Sequence, residues 1–285
     1  MADAPATSYR IAGNDFRIGR IFERTIAIYR RNFVPFSLVT AVASTPSLLL
    51  SLYVSQNSAS TRKEDLIVLF APLATFVLLL LAQATLAYGA FQDLRGNPVR
   101  LSESVSAGLR RIFPILVLAT FGVFTLTFFT LGVAMFSYMM ALQFGYLFIA
   151  SGLPLIPGIG IFVLIVASVV IALMIVVRWS VAVPVCMVER LPPWSSLRRS
   201  SQLTKGRRWK LFGTILLLLI ASFIVDRLTW GTSNALGGSV VRQIVAFVWD
   251  VVWTAFFAII LLVTYYELRS DKEGISVDQI TAVFD

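Results

Sequence analysis

From Ile112 to Val177 the chain carries no Asp, Glu, Lys or Arg. One helical crossing of a bilayer takes about 20 apolar residues, so this stretch has to cross more than once. Its middle reads SGLPLIPGIG (Ser151 to Gly160), where Gly152, Pro154, Pro157, Gly158 and Gly160 mark the turn. The whole chain is 58% hydrophobic and 14% charged, whereas soluble domains are about a quarter charged. Lipid can absorb that much apolar surface and a water-soluble core of this size cannot. The expected class is all-α and polytopic.

Three junctions then order the chain: RRNFVPF (Arg30 to Phe36), RRIFPIL (Arg110 to Leu116) and RRWKLFG (Arg207 to Gly213). In each, an Arg-Arg pair meets an aromatic residue within three positions and apolar sequence follows. An amphipathic segment precedes each. In 14–31, Ile18, Phe22, Ile26 and Tyr29 recur at helical spacing, with Asn14 or Asp15 as N-cap and Arg17, Arg20, Arg24, Arg30 and Arg31 positioned for headgroups. In 101–112 the stripe is Leu101, Val105, Leu109 and Ile112, and in 193–205 Pro193 opens and Gly206 closes the helix. Basic residues beside an apolar stripe describe a helix lying in the interface plane.

Spans are expected at 33–54, 66–91, 112–134, 158–180, 211–230 and 243–266. Nineteen of the 24 Lys and Arg fall in the N-terminal segment, the 92–111 and 189–210 loops and the tail 267–285. By the positive-inside rule those are cytoplasmic. The expectation is therefore six transmembrane helices arranged as three hairpins, each preceded by a cytoplasmic amphipathic surface helix, with both termini cytoplasmic. Residues 135–151 are too many to continue one straight crossing, and are expected to bend off as a re-entrant or interfacial segment. The first thirty residues hold no apolar core of a signal peptide, so insertion is expected to start at the first span.

Histidine is absent and Cys186 is the single cysteine. A Ser-His-Asp triad, a Cys-His dyad, a His-ligated zinc and an intrachain disulfide are all excluded. No catalytic residue, metal ligand set or cofactor is expected. Cys186, in an apolar stretch, reads as a small packing residue.

The expected headgroup-binding residues are Arg30, Arg31, Arg110, Arg111, Arg198, Arg199, Lys205, Arg207, Arg208 and Lys210, the last six in a cluster flanked by Trp194 and containing Trp209. Anionic phospholipid is the expected partner, at about 1 kcal/mol per basic residue near the surface. Nucleic acid is not expected, because the basic cluster is pinned between two spans without a recognised binding fold. Four polar residues lie within or beside spans: Arg178, Glu189, Asp250 and Glu267. Arg178 either snorkels to the interface or pairs with Glu189, eleven residues on and on the same face if Pro184 only kinks the helix, or with Glu267. Asp250 is an interfacial carboxylate, paired with Arg242 or Arg227, or a proton or cation site between helices.

Two stretches carry a family resemblance. RWSVAVPVCMVERLPPWSSLRRSSQLTKGRRWKLFG (Arg178 to Gly213) and TYYELRSDKEGISVDQI (Thr264 to Ile280) resemble the bacterial glycerophosphoryl diester phosphodiesterase membrane-domain family and its uncharacterised six-helix relatives. Pro184, Glu189, Arg199, Ser200, Trp209, Tyr265, Tyr266, Leu268, Arg269, Glu273 and Gly274 fit its pattern, and IGRIFERTIAIYRRNF is similar too. The resemblance implies the membrane module alone, in a bacterial inner membrane, since the family's soluble barrel needs histidines. The functional expectation is a non-enzymatic membrane protein that binds anionic headgroups and organises membrane or supports a membrane-bound partner. A small-solute or ion transporter using Arg178 and Asp250 is the alternative. An enzyme acting on lipid through Glu189, Glu267 and Glu273 is the third.

Overall fold

The computed structural model describes residues 18–56, 64–151, 155–235 and 239–273. These form ten helices: α1 (Ile18–Arg31), α2 (Phe33–Gln56), α3 (Glu64–Leu94), α4 (Leu101–Arg110), α5 (Ile112–Ser151), α6 (Leu155–Trp179), α7 (Ala182–Val188), α8 (Pro193–Thr204), α9 (Arg208–Ala235) and α10 (Ser239–Glu273). No strand occurs among the described residues. Six helical stretches are long and apolar enough to cross a membrane: Phe33–Val54, Phe70–Leu94, Ile112–Met139, Val166–Val188 (through α6 and α7), Arg208–Thr229 and Val240–Glu273. The proposed N-cap at Asn14 or Asp15, the centre of the 151–160 turn and the tail beyond Glu273 lie outside the described residues.

Each junction is a tight corner. One residue, Asn32, separates α1 from α2; its backbone and side-chain nitrogens both donate to Ile28 O, at 3.1 and 3.2 Å. Arg111 alone separates α4 from α5 and donates its backbone N–H to Gly108 O at 3.1 Å. Between α8 and α9 the corner takes Lys205 to Arg207, with Gly206 at φ +87°, a left-handed conformation that glycine adopts without a Cβ penalty. The short helix and the long apolar helix after it are thus closely coupled in all three places.

The expected departure of 135–151 from the third span does not occur. Those residues continue α5 as one unbroken helix to Ser151. At 1.5 Å per residue its length is about 60 Å, twice the hydrocarbon thickness. The physical reason lies in MFSYMMALQ (Met135 to Gln143), rich in helix-favouring Met, Ala, Leu and Gln and free of proline.

The other correction concerns Pro184. The helix does not merely kink there: α6 ends at Trp179 and α7 starts at Ala182. Proline's ring clashes with the carbonyl four residues back, here that of Ser180, and the break sits at Ser180 and Val181. Arg178 and Glu189 therefore do not share a helical face.

α10 is the hub of the bundle. It packs against α1, α2, α3, α7, α8 and α9. Most of its residues from Ala255 to Leu268 are buried, including Ala255, Ala258, Ile259, Ile260, Leu262, Val263 and Leu268. A helix apolar on nearly every side is one surrounded by protein. α2 packs on α3, α5 on α6 and α9 on α10. A second cluster joins Leu80, Ala84, Ile115, Leu118, Ala182, Cys186 and Leu197, so Cys186 packs as expected. The distal parts of α5, α6 and α9 expose Phe128, Leu131, Val166, Val169, Phe223 and Ile224.

α3 and α4 approach closely because both carry small residues. A Cβ on Gly108 would sit 3.0 Å from Thr85 Oγ1 and 3.3 Å from a Leu81 methyl; one on Gly89 would sit 3.0 Å from Phe36 and 3.2 Å from Val99. Gly108→Leu is expected to destabilise the protein by about 1–3 kcal/mol through overpacking. Gly213→Leu, whose Cβ meets nothing within 4 Å, should change the detergent-solubilised melting temperature much less. Thermal unfolding of both variants measures this directly; equal shifts would refute the close-packing argument.

Candidate functional site

The start of α2, the end of α3, the short helices α1, α4 and α8, and the end of α10 meet at one end of the bundle. Charge is concentrated there, and most of it is organised around the last turns of α10. Tyr265, Arg269 and Glu273 stand at i, i+4 and i+8, on one face. Arg269 donates through Nε to Glu273 Oε2 at 2.8 Å and through Nη1 to the Tyr265 hydroxyl at 3.1 Å. The Tyr265 hydroxyl donates to Glu189 Oε1 at 2.9 Å. Arg199 Nε reaches both Glu189 oxygens, at 3.2 and 3.1 Å, and its Nη2 donates to Glu273. Glu189, Arg199, Glu273, Arg269 and Tyr265 so form a closed ring joining α8, α10 and the turn between α7 and α8.

This ring sits in partly desolvated surroundings, with Tyr265 only 2% exposed. Burial alone pushes the Arg199 guanidinium down, but the Glu273 hydrogen bond and the Glu189 charge outweigh it, and its pKa is raised. Charge-assisted hydrogen bonds of this kind are roughly twice as strong as neutral ones.

Other arginines lock neighbouring elements. Glu267, 2% exposed, accepts from Arg24 Nη1 at 2.6 Å, with Arg20 at 3.6 Å, which ties α1 to α10. Arg207 makes a two-point contact with Asp271, at 3.0 and 3.2 Å. Asp93, at the end of α3, accepts from Arg31 at 2.6 Å and Asn32 at 2.8 Å. Arg111 Nη1 donates to Arg190 O at 3.2 Å.

The expected headgroup residues thus divide. Arg31, Arg199 and Arg207 hold carboxylates, and Arg111 holds a backbone carbonyl. Arg208 is half-buried and donates to Ser201 O at 3.4 Å. Arg30, Arg110, Arg198, Lys205 and Lys210 are exposed. Arg178 is also exposed, at the end of α6, and pairs with neither expected carboxylate: its Nε donates to Ser201 Oγ at 2.7 Å, while Ser200 Oγ donates back to Arg178 O at 2.9 Å. Glu189 is taken by Arg199, and Glu267 by Arg24. No group of three His, Cys, Asp or Glu residues is placed to hold a metal ion among the described residues.

Asp250 stands apart. It lies 17 residues before Glu267 on α10, about 25 Å along the helix. Ser44 Oγ donates to its Oδ2 at 3.1 Å, and Ser51 Oγ to Gln243 Oε1 at 3.2 Å. Ser44, Ser47, Ser51, Gln243 and Asp250 line a groove of about 230 Å³ between α2 and α10. The residues missed in the sequence are these serines and the partners Asp93, Asp271 and Ser201. A signal existed for the first: Ser44, Ser47 and Ser51 repeat at helical spacing, as Gln243 and Asp250 do.

Comparison with known family models, curated proteins and solved structures finds no match in any of the three.

The ring implies a measurable coupling. A double-mutant cycle on Glu189→Gln and Arg199→Met, read by chemical or thermal unfolding, is expected to give an interaction of about 1–3 kcal/mol. The same cycle on Arg100 and Glu103, 69% and 52% exposed and 3.0 Å apart, should give about 0.5 kcal/mol or less. Similar values for the two pairs would mean that the ring adds no more than a surface contact.

Proposed function

We propose that this chain is a non-enzymatic, multi-pass protein of the bacterial inner membrane. Its spans form three hairpins, each entered from a cytoplasmic surface helix, and both termini are cytoplasmic. It binds anionic phospholipid headgroups with its charged end, and so organises the surrounding membrane or supports a membrane-bound partner. The observation that carries this reading is the outward set at that end: exposed Arg30, Arg110, Arg198 and Lys205, beside Trp194 and Trp209 at 69% and 72% exposure. Basic residues with exposed indoles are the usual dress of a helix seated among headgroups. The resemblance of 178–213 and 264–280 to the membrane-domain family supports the cellular setting, and the ring residues Glu189, Arg199, Tyr265, Arg269 and Glu273 all belong to that motif.

The lipid part is tested in nanodiscs assembled from equal phosphatidylglycerol and phosphatidylcholine. Phosphatidylglycerol should be enriched several-fold around the protein, and replacing Arg30, Arg110, Arg198 and Lys205 by Gln should remove most of that enrichment. Equal retention of the two lipids by the unaltered protein sinks the proposal.

A transporter remains the second reading, and the polar groove at Asp250 favours it. It needs a path to Arg178, which sits with Ser201 at the charged end. On the first reading, proton or cation flux into proteoliposomes should not differ between the unaltered protein and Asp250→Asn. A flux lost in that variant would favour transport.

A further inference from the structure

A cavity of about 630 Å³ lies at the charged end, lined by Tyr88, Glu103, Ser106, Arg110, Arg111 and Arg190 among others. Three guanidiniums face one carboxylate, and that carboxylate is already held by Arg100 at 3.0 Å. Arg111 spends one donor, Nη1, on Arg190 O. Its remaining N–H groups, and those of the Arg110 and Arg190 side chains, have no protein acceptor among the described residues. A guanidinium carries five donors in a fixed fork that matches phosphate oxygens. The Tyr88 hydroxyl accepts from Gln92 at 2.9 Å, which leaves its own hydrogen to donate.

The backbone adds an independent observation. Arg190 is the non-glycine residue at positive φ, +54°, among the described residues. A side-chain-bearing residue keeps that conformation only where its surroundings over-determine it, and such residues cluster at ligand sites. Here the turn is pinned from both sides. Arg111 donates to Arg190 O, and Ser196 Oγ and Cys186 Sγ reach Leu191 O at 3.4 and 3.6 Å. The result places Arg190 with Arg110 and Arg111 in the cavity lining. One position before Arg110 and three after it, Leu109 and Phe113 are 53% and 72% exposed, an apolar flank suited to acyl chains.

We infer that this cavity is a discrete phosphate site for a phospholipid headgroup carrying more than one negative charge. The inference rests on the reading that the charged end lies among headgroups, and it differs in kind: a saturable pocket with one occupant, not a diffuse basic surface. Basic pockets beside spans on the cytoplasmic side are suited to headgroups with several charges.

The test uses the full chain, purified in mild detergent, delipidated and read by native mass spectrometry. The probes are cardiolipin, with two phosphates, phosphatidylglycerol, with one, and inorganic phosphate. One cardiolipin per chain should persist, with phosphatidylglycerol retained about tenfold less. Arg110→Gln with Arg190→Gln should lower cardiolipin retention about tenfold or more, whereas Arg30→Gln with Arg198→Gln, an equal loss of charge on exposed helices, should leave the single adduct in place. Ser106→Trp, which fills the cavity and leaves every charge intact, should remove the adduct too. Equal losses in the two double variants would overturn the pocket and leave the surface reading standing. No anionic preference in the unaltered protein would overturn both. Displacement of cardiolipin by millimolar inorganic phosphate would assign the pocket to the free anion and overturn the lipid assignment.

Discussion

A carboxylate withdrawn from water has to be met by a cation or several donors, or its desolvation dominates. Glu267 is that carboxylate here, 2% exposed on the most enclosed helix of the bundle. Its partner Arg24 belongs to α1, so the first described helix is drawn onto the last. The same requirement recurs a turn further along. Asp271 draws in Arg207, and Glu273 draws in Arg199 and Arg269. Packing between apolar spans is weakly directional, because lipid tails are as apolar as leucine. The arginine–carboxylate contacts supply direction: they determine which surface helix sits against which span end.

This gives the repeated Arg-Arg junction a physical meaning that residue order alone does not carry. In the first two pairs one arginine bonds a protein acceptor beside an exposed neighbour: Arg31, itself 63% exposed, on Asp93 next to Arg30, and Arg111 on Arg190 O next to Arg110. In the third pair Arg207 holds Asp271, and half-buried Arg208 reaches back to Ser201 O. Two adjacent arginines on a helix end cannot share a face, so one pair serves both as a bolt and as a surface charge. The exposed aromatic residue beside each pair, Phe33, Phe113 or Trp209, marks the depth at which apolar sequence begins.

The spans were legible because hydropathy sums over some twenty residues and tolerates local exceptions. The surface helices were legible from Ile18, Phe22, Leu101 and Val105, whose spacing is a local property. The side-chain partnerships were not. Arg24 and Glu267 are separated by 243 positions, Arg31 and Asp93 by 62, and nothing local says which carboxylate an arginine meets. Arg178 and Glu189 share a face only if the helix is continuous across Pro184. Once the chain breaks at Ser180 and Val181, Glu189 swings to Arg199 and Arg178 takes Ser201. Residues 135–151 show the opposite balance: bilayer thickness argues for a bend, and the locally strong helical sequence carries α5 on to Ser151.

The positive-inside rule counts lysines and arginines and gives little weight to acidic residues. In this fold the acidic residues of the charged end are largely held by arginines. Asp93, Glu103, Glu189, Glu267, Asp271 and Glu273 all lie at the charged end, and each is engaged by an arginine. Five of the six, Glu103 apart, are at most 22% exposed. Their charge is spent on protein partners: Arg24, Arg31, Arg199, Arg207 and Arg269. The exposed basic residues at this end include Arg30, Arg110, Arg178, Arg198, Lys205 and Lys210, with Glu23 and Glu103 as exposed acids beside them. The outward field of this end is therefore more basic than its composition suggests, and a headgroup with negative charge meets that field first.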